Sequence, residues 1–380
     1  MPTAKAIVAR EPRFTALNWA LEDVCVSNEP GDDEVLVEMV ASGVCHTDIV
    51  LSAVPSGQLG IGYPKVIGHE GSGYARRIGK NVTTVQEGDP VLLSFYSCGS
   101  CGQCQERHPA YCDSFAVENY VGRRGHVTTA NSANGKGDNG EQVHSRFFGQ
   151  SSFARYSIVD KSCIVNAKDL IRSEDELTLF APLGCGFQTG MGAIENVAKP
   201  DENSVLVVLG LGSTALIRPH SAIVGVDRLP GRLELAKELG ATHTIDTSPP
   251  GFNLQKTLLE MFPSGVHHIV DTTGAPVLIE DGLRSLRQRG KIVLIGVPPM
   301  QYELGIGVVQ HINTGRAVVG CIEGDCVPGE AVPKLVQWYR EGRFPIEKLI
   351  TYFEAGDFRQ ALAGLDDGSV IKAVLKWKDE

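Results

Sequence analysis

Ser204-Val205-Leu206-Val207-Val208-Leu209-Gly210-Leu211-Gly212-Ser213-Thr214-Ala215 joins a mostly apolar run to a glycine-bearing turn. The run lacks polar alternation and reads as a strand buried on both faces. The turn fits G-x-G-x-x-G/A, in which glycines let the chain reverse tightly and backbone N–H groups reach a pyrophosphate at a helix start. The next apolar run, Ala222-Ile223-Val224-Gly225-Val226, ends in Asp227. A carboxylate there accepts hydrogen bonds from an adenosine ribose 2′-hydroxyl and repels a 2′-phosphate, which favours NAD over NADP. Gly210, Gly212 and Asp227 are therefore candidate cofactor contacts. The unit is short: seventeen positions separate Gly210 from Asp227, against about 20 in the usual fingerprint. Arg218-Pro219-His220 also interrupts the expected helix, because proline removes a donor and clashes with the preceding turn.

Downstream the same texture repeats. His268-Ile269-Val270 ends in Asp271 and Lys291-Ile292-Val293-Leu294-Ile295 ends in Gly296, while Arg232 to Leu239 and Ile279 to Leu286 have helical periodicity. Apolar strands alternating with helices predict a parallel, doubly wound sheet. Upstream, residues 1 to about 115 hold short β-type runs such as Glu34-Val35-Leu36-Val37-Glu38-Met39-Val40, which predict antiparallel sheet. Residues 119–145 are polar and read as a long surface loop. Beyond about 322, Val332 to Glu341 reads as a helix and Ser369 to Trp377 as a strand.

The chain of 380 residues is long enough for two cores. A net charge of -10 argues against a nucleic-acid partner. No run of about 18 apolar residues predicts a membrane span. Met1 to Arg10 lacks the layout of a signal peptide, and Lys376 to Glu380 matches no retention signal, so a cytoplasmic location is expected. Ten cysteines in such a chain do not read as disulfides.

Four of them, Cys98, Cys101, Cys104 and Cys112, form C-x2-C-x2-C-x7-C. Spacing this tight turns several thiolates towards one ion, and Gly99 and Gly102 ease the backbone. Four thiolates leave no position for substrate, so a zinc here would be structural; an iron–sulfur cluster is the competing reading. A second constellation is dispersed over Cys45-His46-Thr47-Asp48, Gly68-His69-Glu70 and Gly184-Cys185. Two cysteines and one histidine make the three-ligand set of an open zinc site, with Asp48 and Glu70 as carboxylates that orient the ligands. Phe95, Tyr96, Phe115 and Phe153 either line an apolar pocket or belong to the core.

With the knuckle, the stretches Cys45-His46-Thr47-Asp48-Ile49-Val50, Gly68-His69-Glu70-Gly71-Ser72-Gly73, Phe147-Phe148-Gly149-Gln150-Ser151-Ser152-Phe153 and Leu183-Gly184-Cys185-Gly186-Phe187-Gln188-Thr189-Gly190 carry a resemblance. Over nearly its whole length the chain resembles the zinc-containing medium-chain alcohol dehydrogenases, in wording closest to the aryl-alcohol (benzyl alcohol) branch. The resemblance implies an α/β fold: a GroES-like, mostly-β catalytic domain over 1–186, completed by 323–380, and a Rossmann NAD-binding domain over 187–322. It implies two zinc ions per chain, one catalytic on Cys45, His69 and Cys185 and one structural on Cys98, Cys101, Cys104 and Cys112. Thr47 then takes the alcohol proton, and His46 and Lys372 lie near the pyrophosphate. Asp227 and Arg232 contact the adenosine ribose, and Thr189, Ile295 and Val297 line the nicotinamide. The implied partners are a small alcohol or aldehyde, NAD, and further copies of the chain in a homodimer or homotetramer.

There are departures. A histidine four or five residues after the first zinc cysteine passes the proton to solvent in the family's animal enzymes; Val50 and Leu51 stand here. The phosphate-loop helix is about two turns shorter. Two rivals follow: a relative acting on another class, such as a polyol or a glutathione adduct, and a catalytically impaired or non-enzymatic zinc-stabilised homologue.

Overall fold

The computed structural model describes residues 3–13, 16–130, 140–212 and 222–378. The chain divides into two compact units, Met1–Gly186 with Val327–Glu380, and Phe187–Cys326. The expected division at 322/323 falls four residues earlier. Residues 323–326 stay with the second unit because Asn196 Nδ2 donates to the carbonyls of Gly324 and Asp325, at 3.1 Å each, and Gln188 Nε2 to Glu323 Oε2 at 3.1 Å.

The first unit is mostly β. Thr3–Ala9, Trp19–Val26, Arg123–Thr129, Gln142–Ser145 and Lys65–Val66 close a barrel. A second sheet runs Ile164–Asn166, Pro90–Leu93, Gly71–Ile78, Glu34–Gly43, Lys372–Lys376 and Ile350–Glu354, with Tyr156–Asp160 also on Glu34–Gly43. Glu34–Gly43 pairs with three neighbours and is almost wholly buried, so its apolar run continues through both faces. The chain's far end returns here, with Val374 opposite Gly43 and Lys376 opposite Ala41.

The region expected as a surface loop contains sheet instead. Arg123–Thr129 and Gln142–Ser145 pair antiparallel, with Val127 opposite Val143 and both side chains buried. One apolar side chain per strand suffices to set an inward face, too sparse a signal to stand out among polar neighbours. Residues 131–139 lie outside the described residues.

The second unit is a six-stranded, wholly parallel sheet. Numbered within the unit, its order is 3-2-1-4-5-6: His243–Asp246, Ala222–Asp227, Val205–Leu209, Val266–Asp271, Leu286–Leu294 and Ala317–Gly320. That order puts a topological switch beyond the carboxyl ends of Val205–Leu209 and Val266–Asp271, where such sheets bind ligands. Val207, Leu209, Val224, Val226, Ile269 and Ile292 form its core with Leu254, Leu258 and Ile279 from the helices Leu254–Met261 and Pro276–Ser285. Ser213, Thr214, Ala215 and Arg218-Pro219-His220 lie outside the described residues. The flanking strands pair parallel from Val205 opposite Ala222 to Leu209 opposite Val226. Among the described residues no helix is long and apolar enough to cross a membrane.

Candidate functional site

Among the described residues two groups of side chains have ligand atoms within 4.8 Å of one another: Cys98, Cys101, Cys104 and Cys112, and Cys45, His69 and Cys185. Both belong to the first unit. In the first group, Cys101 precedes the short helix Gly102–Gln105, Cys104 lies within it, and Cys112 follows the turn Pro109–Tyr111. Gly99 takes the left-handed φ of 68° that the knuckle needs; Gly102 does not. Cys98 and Cys104 sulfurs are 4.0 Å apart, as are those of Cys101 and Cys112. Four sulfurs about 2.3 Å from one ion stand about 3.8 Å apart on a tetrahedron, whereas a disulfide needs about 2.05 Å. Backbone N–H groups donate to these sulfurs, Cys101 to Cys98 at 3.3 Å and Cys98 to Cys112 at 3.4 Å. The backbone N–H and hydroxyl of Ser100 hold the Cys98 thiol down to about 6, which favours the thiolate a metal binds, whereas burial pushes the Cys104 thiol up to about 12 and Cys112 up as well. The residues fit a closed tetrahedral site.

The second group is assembled from three segments. Cys45 precedes the helix His46–Ser52, and its N–H donates to Asp48 Oδ2 at 2.9 Å. Asp48 Oδ1 accepts from the Gly68 N–H at 3.2 Å and meets His69 Nδ1 at 2.8 Å. Gly68 has a φ of 88°, and a side chain there would strike the Phe153 ring, so glycine delivers His69 at this turn. A neutral imidazole that gives its Nδ1–H to Asp48 keeps the lone pair on Nε2. That nitrogen is buried and has no hydrogen-bond partner among the described residues. A buried polar atom left bare is unfavourable by about 1–3 kcal/mol, and a metal ion is the partner that a bare imidazole nitrogen beside two sulfurs fits. Cys45 and Cys185 sulfurs are 4.0 Å apart, the same edge as in the knuckle. Contact with Cys185 holds Cys45 well below the ordinary thiol range, against its burial. Two sulfurs and one nitrogen suit zinc and leave a fourth position for another ligand.

Glu70 is wholly buried and accepts from the Gly186 N–H at 3.2 Å. Lys372 Nζ donates to both its oxygens at 2.8 Å and to the Val44 carbonyl at 3.2 Å. Lys372 is the cation expected near a pyrophosphate. Its ammonium, only 2% exposed, is committed to Glu70, because a buried cation needs a counter-charge. His46 is exposed in the first turn of its helix, and Thr47 beside it is half-buried.

The aromatic residues divide. Phe148 stacks on the His69 ring at 4.2 Å and meets Phe115 at 6.1 Å and Tyr120 at 5.7 Å; Phe95 adjoins Phe115 at 5.7 Å. Phe153 packs instead on Trp19 at 5.9 Å, as plain core. Tyr96 lines a separate polar cleft with Cys98, Arg123 and Asp160.

In the parallel unit, Gly210 and Gly212 follow the first strand and Asp227 ends the second. The Asp227 carboxylate accepts from the N–H of Leu211 at 2.8 Å, of Arg228 at 2.7 Å and of Leu229 at 3.0 Å, and Arg232 Nη1 stands 3.9 Å away. Thr189 is buried in the helix Gly186–Gly192, while Ile295 and the exposed Val297 follow the fifth strand.

Phe148 and Gln150 went without a role in the sequence. The one available signal was a polar amide set among phenylalanines in Phe147-Phe148-Gly149-Gln150, since buried amides are hydrogen-bonded.

Comparison with known proteins agrees with this architecture. Residues 31–169 match the alcohol dehydrogenase GroES-like domain and residues 211–341 the zinc-binding dehydrogenase domain. A geraniol dehydrogenase from Castellaniella defragrans is 34% identical over 364 residues, 94% of each chain. Among solved structures, an alcohol dehydrogenase zinc-binding domain protein from Burkholderia ambifaria has a TM-score of 0.89 at 32% identity. The benzyl alcohol dehydrogenase of Acinetobacter calcoaceticus has a TM-score of 0.86 at 33% identity, and both cover 100% of this chain and of their own. The mostly-β unit is thus GroES-like and the parallel unit a Rossmann domain. Identity of this order, sustained along nearly the whole length, makes the chain a member of the zinc-containing medium-chain alcohol dehydrogenases, and an enzyme.

Proposed function

We propose that this enzyme moves a hydride between NAD(H) and an aryl or other bulky primary alcohol and its aldehyde. The observation that carries the reading is the open site: two sulfurs and a bare imidazole nitrogen converge in the interior beside stacked aromatic rings. Cys45, His69 and Cys185 hold the catalytic zinc, and Cys98, Cys101, Cys104 and Cys112 a structural one, two per chain. Zinc bound in the open set supplies Lewis acidity, which lowers the pKa of a hydroxyl bound there. The chain's own groups do the rest. Thr47, two residues from Cys45, takes the hydroxyl proton. Asp48 keeps the His69 proton on Nδ1 and Nε2 available. Phe148, with Phe115 and Tyr120 at its edges, offers an apolar wall to an aromatic or branched substrate.

For the cofactor, Gly210 and Gly212 take the pyrophosphate with His46, Asp227 and Arg232 the adenosine ribose, and Thr189, Ile295 and Val297 the nicotinamide. Asp227, held by three backbone N–H groups, keeps lone-pair capacity for a ribose hydroxyl and repels a 2′-phosphate. Relatives named for geraniol and for benzyl alcohol support a bulky alcohol. Val308, Val309 and Ile312 are 69%, 72% and 73% exposed on one helix, which supports association of identical chains.

Initial rates with benzyl alcohol, geraniol, ethanol and sorbitol, each with NAD and NADP, test the reading. Benzyl alcohol or geraniol with NAD should exceed ethanol by about tenfold or more in kcat/KM, the discrimination that a few buried apolar groups provide. Equal turnover of ethanol or sorbitol, or a preference for NADP, would overturn it. Titration with NADH, followed by its fluorescence, tests the shortened loop; absence of binding at millimolar NADH would favour the impaired homologue.

A further inference from the structure

Gln150 lies in a segment where Arg146, Phe148 and Ser151 all have left-handed backbones, with φ of 64°, 52° and 51°. Three such non-glycine residues within six positions persist only where the surroundings hold them, and they cluster at functional sites. Gln150 is wholly buried. Its Nε2 donates to the His69 carbonyl at 2.8 Å and to the Ser94 carbonyl at 2.7 Å, and its Oε1 accepts from the Gly71 N–H at 3.1 Å. The His69 carbonyl and the Gly71 N–H flank Glu70, the pair that a neighbouring strand ordinarily satisfies. One side-chain amide therefore stands in for a peptide unit of a neighbouring strand. Its own backbone is pinned, with the N–H on the Phe147 carbonyl at 3.0 Å and the carbonyl accepting from Ser157 Oγ.

The far end of the bridge reaches the third ligand. Ser94 Oγ donates to the Gly184 carbonyl at 2.6 Å, one residue before Cys185. Asp48 already joins the Cys45 segment to His69 through Cys45 N–H and His69 Nδ1. Gln150 and Ser94 continue the connection from His69 to Cys185, so buried polar groups run unbroken through all three ligand segments.

We propose that Gln150 is a positioning residue: acting with Ser94, it ties the His69 and Cys185 arms of the open site together and sets how firmly that site keeps its metal. The inference rests on the zinc reading of Cys45, His69 and Cys185. The mechanism is geometric. Without the amide the His69 strand can shift against the Cys185 turn, and the three ligand atoms no longer match one ion.

The test is zinc release from the full-length, zinc-loaded protein into excess chelator. Cys45→Ala supplies the rate of the knuckle zinc alone. Gln150→Met keeps length and removes every polar contact of the side chain; Ser94→Ala removes one hydroxyl and decides the question should Gln150→Met not fold. Each variant should release the open-site zinc about 10- to 100-fold faster, leave the knuckle rate unchanged, and shift the visible spectrum of cobalt substituted at the open site. The double variant should be no faster than the faster single one, since both act on one connection. Unchanged open-site release and cobalt spectrum with a lowered Tm would make Gln150 merely structural and overturn the proposal. A native chain from which Cys45→Ala removes no zinc would instead overturn the reading of the site itself.

Discussion

Cys98, Cys101, Cys104 and Cys112 lie within fifteen residues and are mostly half-exposed, whereas 140 positions separate Cys45 from Cys185, and His69 between them is buried. Both groups nonetheless present sulfurs 4.0 Å apart. The local group needs little from the rest of the fold: closing so short a loop forfeits little chain entropy, and its own N–H groups serve the sulfurs. The dispersed group has no such local frame. Its ligands come from three turns, and Asp48 must be buried to hold two of them in register. What the longer route gains is an interior position with one ligand place open. A closed local site serves stability; an open interior site serves chemistry.

The sharpest break in that contrast is Cys45→Ala. It should lower kcat/KM by more than about a thousandfold, over 4 kcal/mol in the barrier, remove one zinc per chain by metal analysis, and leave Tm nearly in place. Cys104→Ala should do the converse: one zinc lost and Tm lower by on the order of 10 °C, because a structural metal contributes folding free energy. Activity per folded molecule should stay within about tenfold. A Cys104→Ala protein with unchanged Tm and no activity would erase the distinction between the sites.

Asp48→Asn acts on the dispersed site alone. It keeps the side chain's size but removes the charge that faces His69 Nδ1. Steady-state kinetics should show kcat/KM lower by about 10- to 100-fold, the usual consequence of losing a carboxylate behind a metal-bound histidine. The knuckle zinc should remain; its loss in this variant would mean that the two sites are not independent.

The same contrast decides what the sequence could reveal. Ligands of the knuckle are neighbours in the chain, so C-x2-C-x2-C-x7-C is legible as a pattern. Apolar strands ending at Leu209, Asp227, Asp271 and Leu294 declared the parallel sheet for the same reason, each being a local run. Cys45, His69 and Cys185 are brought together by separate turns, and only the motifs around them, read as a family resemblance, pointed to one set. Asp48 was legible because it stands three residues after Cys45 in a helix's first turn. Gln150 was not, since its partners are backbone groups, which no residue type identifies. Nor was the burial of Lys372 legible, since it depends on Lys372–Lys376 pairing with Ala41–Gly43, a contact across most of the chain.

Burial around the dispersed site has a consequence that the exposed knuckle avoids, seen in two lysines that are both 2% exposed. Burial alone would pull Lys372 down, but the Glu70 carboxylate reverses this and holds its ammonium above the ordinary value. Among the described residues Lys65 has no carboxylate on its amine. Its Nζ meets the Tyr120 carbonyl at 2.5 Å and lies 5.4 Å from the centre of the Phe147 ring, itself edge-on to His69 at 5.6 Å. Burial brings this amine down to about 7. In the unfolded chain it titrates near 10.4, so between about pH 7 and 10 the unfolded state binds more protons and stability rises with pH. Below pH 7 the amine must be charged in the interior and the full penalty applies. Lys65→Met should therefore stabilise the fold at pH 6 by on the order of 1–3 kcal/mol after the lost contact to Tyr120 is allowed for, seen as a raised Tm. The gain should shrink steadily towards pH 9.5, as thermal unfolding at four or five pH values would show. Zinc content and kcat/KM for the alcohol should hardly move, because Lys65 reaches His69 only at second hand, through Phe147 and through Tyr120 and Phe148. A Tm difference that does not vary with pH would mean that the amine is not neutral in the fold, and that the interior around the open site accepts an unpaired cation as readily as the paired one at Lys372.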